Sequence, residues 1–246
     1  MIELYHGTNV EIDRIDLSKG RTGKDFGKGF YMNTDRKQAE AMARTVTKRE
    51  STGKPVVNTF LFDESCLKNK DLKIKIFKTY SKEWAEFVLL NRQNDTDVQK
   101  HDYDIIYGPI ADDKVGYQID NLIKGLRTIN EFIKSLRFAS PTFQFFFGTE
   151  KALVFLNKKQ KSQKEAETEY LIDCRTQDLA KAVMNDTGCD EDTALRDIYN
   201  SSTYGKLCDT DTGLFYQSPV YINEIYKEEK RKKAERWHKK RKGLSI

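Results

Sequence analysis

The chain has 246 residues, 33% of them charged and 11% aromatic, with a formal net charge of +5. Its mean hydropathy of −0.72, with no apolar run near the roughly 18 residues a membrane span needs, excludes a spanning helix. Fourteen Phe and twelve Tyr exclude a wholly disordered chain, which would lack core-forming side chains.

The charge is concentrated. Residues 227–246 hold ten Lys or Arg against three Glu, which is +7 and leaves −2 for the rest. Cys66, Cys174, Cys189 and Cys208 are widely spaced and form no CxxC pair, so neither a zinc site nor a disulfide framework is indicated. The acidic N-terminal stretch MIELYHGTNVEIDRID lacks a signal-peptide pattern. A cytoplasmic protein with reduced thiols is the expectation.

IELYHGT predicts a short strand entering a turn at Gly7, and GFYMNT from Gly29 a second strand. Thr34 or Asp35 then caps a helix over DRKQAEAMARTVTKRE, in which Ala39, Met42, Ala43 and Val46 recur at helical spacing. VVNTFLFD and LKIKIFK alternate as strands, the latter with Leu72, Ile74 and Ile76 on one face. Ser81 caps a helix that lines up Trp84, Phe87, Val88 and Asn91. QNDTDVQKHD reads as a polar linker, and YDIIYGPI as a strand stopped by Gly108-Pro109. Helical stretches follow around Ile119–Leu126 and Ile129–Leu136, broken by Ser140-Pro141, before the strand TFQFFFG.

The apolar-poor stretch from Asn157 to Glu167 marks a domain boundary. Residues 1–160 form one domain, 165–226 a small helical module and 227–246 a basic helical tail. Leu171, Ile172, Leu179, Val183, Met184, Leu195, Ile198 and Leu214 suffice for a three-helix core in the module. No GxGxxG or GxxxxGK[ST] loop follows any strand, which disfavours the common nucleotide folds.

Two segments concentrate chemistry: Tyr5-His6-Gly7-Thr8, and Asp25-Phe26-Gly27-Lys28-Gly29-Phe30-Tyr31. A neutral His can hold a ribose hydroxyl with one nitrogen while the other is fixed by protein. The following Gly admits a flat carboxamide to the backbone, and a Tyr face suits a cationic ring. A carboxylate or amide beside the ribose favours an oxocarbenium-like transition state. Asp104, Asp112 and Asp113 supply too few ligands for a hard cation and read as structural or rim residues. His101 in the linker and His238 in the tail have no identifiable partner.

These segments resemble the His…Tyr…(Glu/Gln) signature of ADP-ribosyltransferases of the diphtheria-toxin and poly(ADP-ribose) polymerase type. The resemblance is closer to a bacterial, largely uncharacterised family of that superfamily. It extends to Tyr103–Asp113 and Gln144–Leu153, in order, and so covers residues 3 to about 156.

The resemblance implies an α+β fold with a split β-sheet core and inserted helices, beside a small C-terminal helical module. NAD is implied as co-substrate, with no metal, and ADP-ribose passes to a protein or nucleic-acid acceptor as nicotinamide leaves. His6, Gly7, Thr8, Phe26, Phe30 and Tyr31 would bind NAD. His6 takes the ribose contacts, Gly7 the amide, and Tyr31 stacks on the nicotinamide ring.

The third catalytic position falls on Gln144, if TFQFFFG is the relevant strand, or on Glu150, if Lys151–Leu156 is. A helical reading of the latter segment favours Gln144. No Glu-x-Glu appears near the expected third motif, so an arginine acceptor is not implied. Residues 168–226 also resemble a small helical module found beside this family, a pairing that suits a toxin or phage-defence enzyme. Two other readings stand beside the enzyme: a weakly catalytic NAD or ADP-ribose binding module, and a nucleic-acid-binding protein using the tail for RNA or DNA contact.

Overall fold

The computed structural model of the chain describes residues 1–111, 113–136 and 141–242, and within them all side chains but those of 113, 114 and 238–242. Asp112 and Ser140, and the side chains of Asp113 and His238, lie outside the described residues. The chain divides into two units, Met1–Ala43 with Val56–Lys159, and Arg44–Pro55 with Gln160–Ile246. Among the described residues no helix is long and apolar enough to cross a membrane.

The first unit is a mixed sheet with helices, an α+β arrangement. Its elements run β1 (Ile2–Thr8), β2 (Phe30–Asn33), α1 (Arg36–Glu50, which continues into the second unit), β3 (Val56–Phe62), β4 (Ile74–Ile76), α2 (Lys82–Arg92) and β5 (Ile105–Pro109). They continue with α3 (Asp113–Ile123), α4 (Ile129–Ser135), β6 (Phe143–Phe147), α5 (Glu150–Leu153) and β7 (Leu156–Lys158). The strand order is β4-β5-β6-β2-β1-β3-β7, and every pair is antiparallel except β4 with β5.

Alternation along these strands fills two cores. Leu4, Phe30, Met32, Phe60, Phe62, Phe145 and Phe147 meet on one face. Phe146 and Ile106 point to the other, where they join Phe26, Trp84, Val88, Ile119 and Phe132. Helix α2 reaches that core because Trp84, Ala85, Val88 and Asn91 recur at helical spacing, with Ser81 accepting from the Trp84 N–H as cap.

Local differences from the sequence expectations have physical reasons. Strand β4 covers only Ile74–Ile76, and Ile76 is 48% exposed, because it lies on the sheet edge. Strand β7 runs into the start of what the composition marks as a link. It is the other edge strand, so its outer residues Asn157 and Lys158 need not be apolar. Helix α3 begins at Asp113, earlier than its apolar spacing indicates.

The second unit is helical: α6 (Gln163–Thr187), α7 (Glu191–Tyr199), α8 (Ser202–Cys208) and α9 (Pro219–Lys242). Helix α6 starts inside the charged link, where Ser162 and Glu165 form a capping box, and ends at left-handed Gly188. Its core takes all eight apolar residues expected for it, and adds Tyr204 and Leu207 from α8, an element the sequence pattern does not reveal. Residues 227–242 of the basic helical tail form the C-terminal part of α9.

Phe62 is fully buried against Phe145 and Phe147. Phe62→Ala is expected to cost about 3–5 kcal/mol in urea denaturation, while Ile76→Ala changes stability by less than about 1 kcal/mol. Equal effects would contradict this assignment of core and edge.

Candidate functional site

The site begins where the sheet is weakest. Strand β1 pairs with β3 at seven positions, from Ile2↔Phe62 to Thr8↔Val56, but with β2 at only one, Tyr5↔Asn33. Beyond that pair a side chain holds the two strands together. His6 Nδ1 lies 2.7 Å from the Tyr31 carbonyl oxygen. A carbonyl only accepts, so Nδ1 carries the proton and Nε2 keeps its lone pair.

The His6 ring stacks on Phe30 with centroids 4.3 Å apart. Burial pushes the imidazole pKa down, against the Tyr31 carbonyl, which raises it, so the neutral form is favoured. Nε2 has no partner among the described residues and is not among their buried unpaired atoms, which makes it an accessible acceptor. Gly7 follows in the same strand. A Cβ there would stand 1.9 Å from the Ala39 carbonyl oxygen, so close packing of α1 alone requires glycine.

Tyr31 lies on the opposite sheet face from His6, on the side of Phe146, with ring centroids 5.2 Å apart. Its hydroxyl donates to the Gly27 carbonyl at 2.7 Å and accepts from the Phe26 N–H at 3.0 Å. Burial, and then the nearby Asp25 carboxylate, raise its pKa well above the usual phenol range, so it stays neutral.

The loop that Tyr31 holds is gripped elsewhere too. Gln99 accepts from the Lys28 N–H at 3.1 Å and donates to the Lys28 carbonyl at 2.7 Å. His101 Nδ1 accepts from the Tyr103 N–H, so its Nε2 donates to the Phe26 carbonyl at 2.7 Å. Burial also lowers the His101 pKa. The polar linker, in which His101 showed no partner by sequence, thus fixes the glycine-rich turn. Gly27 takes a φ of +83°, which a side chain would resist.

Gln144 lies on β6, opposite Asn33 and in the register row of Tyr5. Two strand spacings separate it from β1, about 10 Å. Its Nε2 donates to Asp25 Oδ2 at 3.0 Å. The same Asp25 oxygen accepts from the Ala111 N–H, and Oδ1 accepts from Arg92 Nε at 2.8 Å. Asp25 is buried, so its acceptor capacity is spent inside the protein. A carboxylate accepts only, which fixes the Gln144 amide with Oε1 outward. Like His6 Nε2, that atom is unpaired among the described residues and not buried.

Glu150 stands apart, exposed in the first turn of α5 as a favourable N-terminal charge. Phe26 has no exposed surface. It packs on Phe77, Phe87, Tyr31 and Phe146 as a core residue, so it shapes the loop and does not line an open pocket. Phe30 is likewise buried and stacks against His6, and Thr8 is half-buried with its hydroxyl directed to Asn9.

Sequence reasoning missed Asp25, Arg92, Gln99 and His101 as site-building residues. Arg92 ends α2, and Gln99 and His101 sit in an irregular stretch, so no local pattern points to them. Asp104 accepts from the Lys73 N–H and the Thr149 hydroxyl, a structural role. Among the described residues no group of three or more His, Cys, Asp or Glu could hold a metal ion. Burial pushes the Cys66 thiol up to about 11, so it is not a reactive thiolate.

Residues 2–158 match one family model, described as a protein of unknown function (DUF3990), and the chain belongs to that family. No curated protein and no solved structure matches the chain.

Gln144→Glu would set a second carboxylate against Asp25. Like charges raise the pKa of the new group above the usual value of about 4.3. A raised folded pKa penalises the native state as pH rises through that window. The melting-temperature deficit of Q144E against the parent is therefore expected to widen from pH 5 to pH 8. A deficit equal at both pH values would contradict the Gln144–Asp25 contact.

Proposed function

We propose that this member of the family transfers ADP-ribose from NAD⁺ to a macromolecular acceptor, protein or nucleic acid, releasing nicotinamide. The observation that carries the reading is the seam between β1 and β2. There His6 is held by Nδ1 with Nε2 free, directly before Gly7. A sheet whose two halves share one backbone pair also accords with the split sheet that the resemblance implies.

In this reading NAD⁺ is the substrate and lies along the seam, so that it meets both His6 and Tyr31 although they leave the sheet on opposite faces. His6 Nε2 accepts a ribose hydroxyl, and the Gly7 backbone receives the nicotinamide amide. Tyr31 offers its ring and, through its hydroxyl, holds the glycine turn in place.

The bond between nicotinamide and the ribose C1′ breaks, and its electron pair leaves with the nicotinamide. A nucleophile of the acceptor then attacks C1′ and sheds its proton. Gln144 Oε1 accepts from the ribose and stabilises the positive charge developing at C1′. An amide does this less strongly than a carboxylate. That difference favours one second reading: a pocket that binds NAD⁺ or ADP-ribose and turns it over poorly. Gln144 is preferred to Glu150 as the third residue because Asp25 orients it, whereas Glu150 is an exposed helix-start charge.

The test is nicotinamide release from NAD⁺ by the purified chain, with and without bacterial lysate as a source of acceptor. His6→Ala and Gln144→Ala are each expected to lower release by about 100-fold, the scale of losing one transition-state hydrogen-bonding group. Because the His6 pKa is lowered, activity is expected to hold through pH 7 and fall only below about pH 6.5, where Nε2 gains a proton. NAD⁺ binding without release supports the binding reading. No binding at all would overturn both.

A further inference from the structure

The second unit contains a feature its own packing does not use. Helix α9 is anchored through its first three turns, with Ile222 and Tyr226 buried in the helical core. Lys227 pairs with Asp186 at 2.7 Å, and Asp197 receives both the Tyr226 hydroxyl and Lys230. Glu229 accepts from the Ser202 and Thr203 N–H groups and so caps α8.

After Lys230 that anchoring stops. Every described side chain from Arg231 to Trp237 is exposed, yet the helix continues to Lys242, about 18 Å further. Residues 231–246 hold eight Lys or Arg and one acid, Glu235. Arg231 and Lys232 reach back to Glu228, at 2.6 and 3.1 Å. Such exposed pairs add little, and the remaining like charges repel one another along the helix.

The charges are not all that this segment presents. Lys233, Arg236 and Trp237 stand at i, i+3 and i+4, so one face shows an aromatic side chain, 53% exposed, flanked by two cations. From Arg231 to Trp237 the only large apolar side chain is that Trp, so there is no apolar stripe to enter a lipid surface.

We infer that α9 from Arg231 to Trp237 forms a nucleic-acid-binding arm that takes a single strand, RNA or DNA. The cations follow the phosphates and Trp237 stacks on an unpaired base. A phosphodiester chain matches this surface because it supplies a continuous line of negative charge and exposed flat bases together. The inference is independent of the NAD⁺ reading.

The full chain is titrated by fluorescence anisotropy against a labelled single-stranded oligonucleotide of about 20 residues, as RNA and as DNA. A duplex of the same sequence and phosphatidylserine vesicles serve as competitors. Single-strand affinity is expected to fall steeply with salt, with a log–log slope of about −3 if four phosphates are neutralised. K232Q/K233Q/R236Q should weaken binding by about tenfold or more and flatten that slope. W237A should weaken the single strand several-fold and leave the duplex unchanged.

Removal of residues 231–246 should abolish the interaction while the thermal transition of the chain persists. Retained single-strand affinity after that removal overturns the inference. So does tighter binding to vesicles than to the oligonucleotide, or an equal loss of duplex and single strand in W237A.

Discussion

One hydrogen bond joins the two halves of the sheet where the backbone ladder gives out. β1 is tied to β3 along its whole length and to β2 at a single pair. His6 bridges the next step by donating to the Tyr31 carbonyl. Side-chain bridging has a chemical consequence that an ordinary ladder bond lacks. It fixes the tautomer of a half-buried imidazole and leaves its other nitrogen as an acceptor. It also leaves a seam beside a glycine strand, where backbone groups can meet a ligand.

The surrounding structure makes that seam rigid by unusual means. The glycine turn from Asp25 to Gly29 is held through its backbone by Tyr31, Gln99 and His101, while its one carboxylate is spent on Arg92, Ala111 and Gln144. These partners come from β2, the end of α2, the stretch after it, the loop after β5, and β6. The turn is therefore positioned by several parts of the folded unit, and Gln144 is oriented by a buried carboxylate. Preorganisation of this kind is what polar groups need if they are to act on a developing charge without first rearranging.

How much of this was readable in advance follows from where the information lies. Strands β1 and β3 and helix α2 announce themselves by periodicity, because their buried apolar residues face one core each. Strand β6 does so by its run of aromatic residues, which serve both cores. His6, Gly7 and Tyr31 stand out through the residues around them. Strand β7 and the start of α6 do not, since an edge strand and an exposed first turn tolerate the polar residues of a linker. Gln99 and His101 act through contacts across more than 70 positions of sequence, and only the folded chain reveals such partners. Phe26 was the reverse case: its place in a motif pointed to a pocket, and packing put it in the core.

The most direct measurement is a crystal structure of the chain with a non-hydrolysable NAD⁺ analogue. The nicotinamide end is expected in the seam between β1 and β2, its amide on the Gly7 backbone. A ribose hydroxyl should donate to His6 Nε2, and Gln144 Oε1 should face the ribose. An analogue bound away from that seam, or a saturated crystal with no analogue in it, would rule out NAD⁺ as the ligand of the seam.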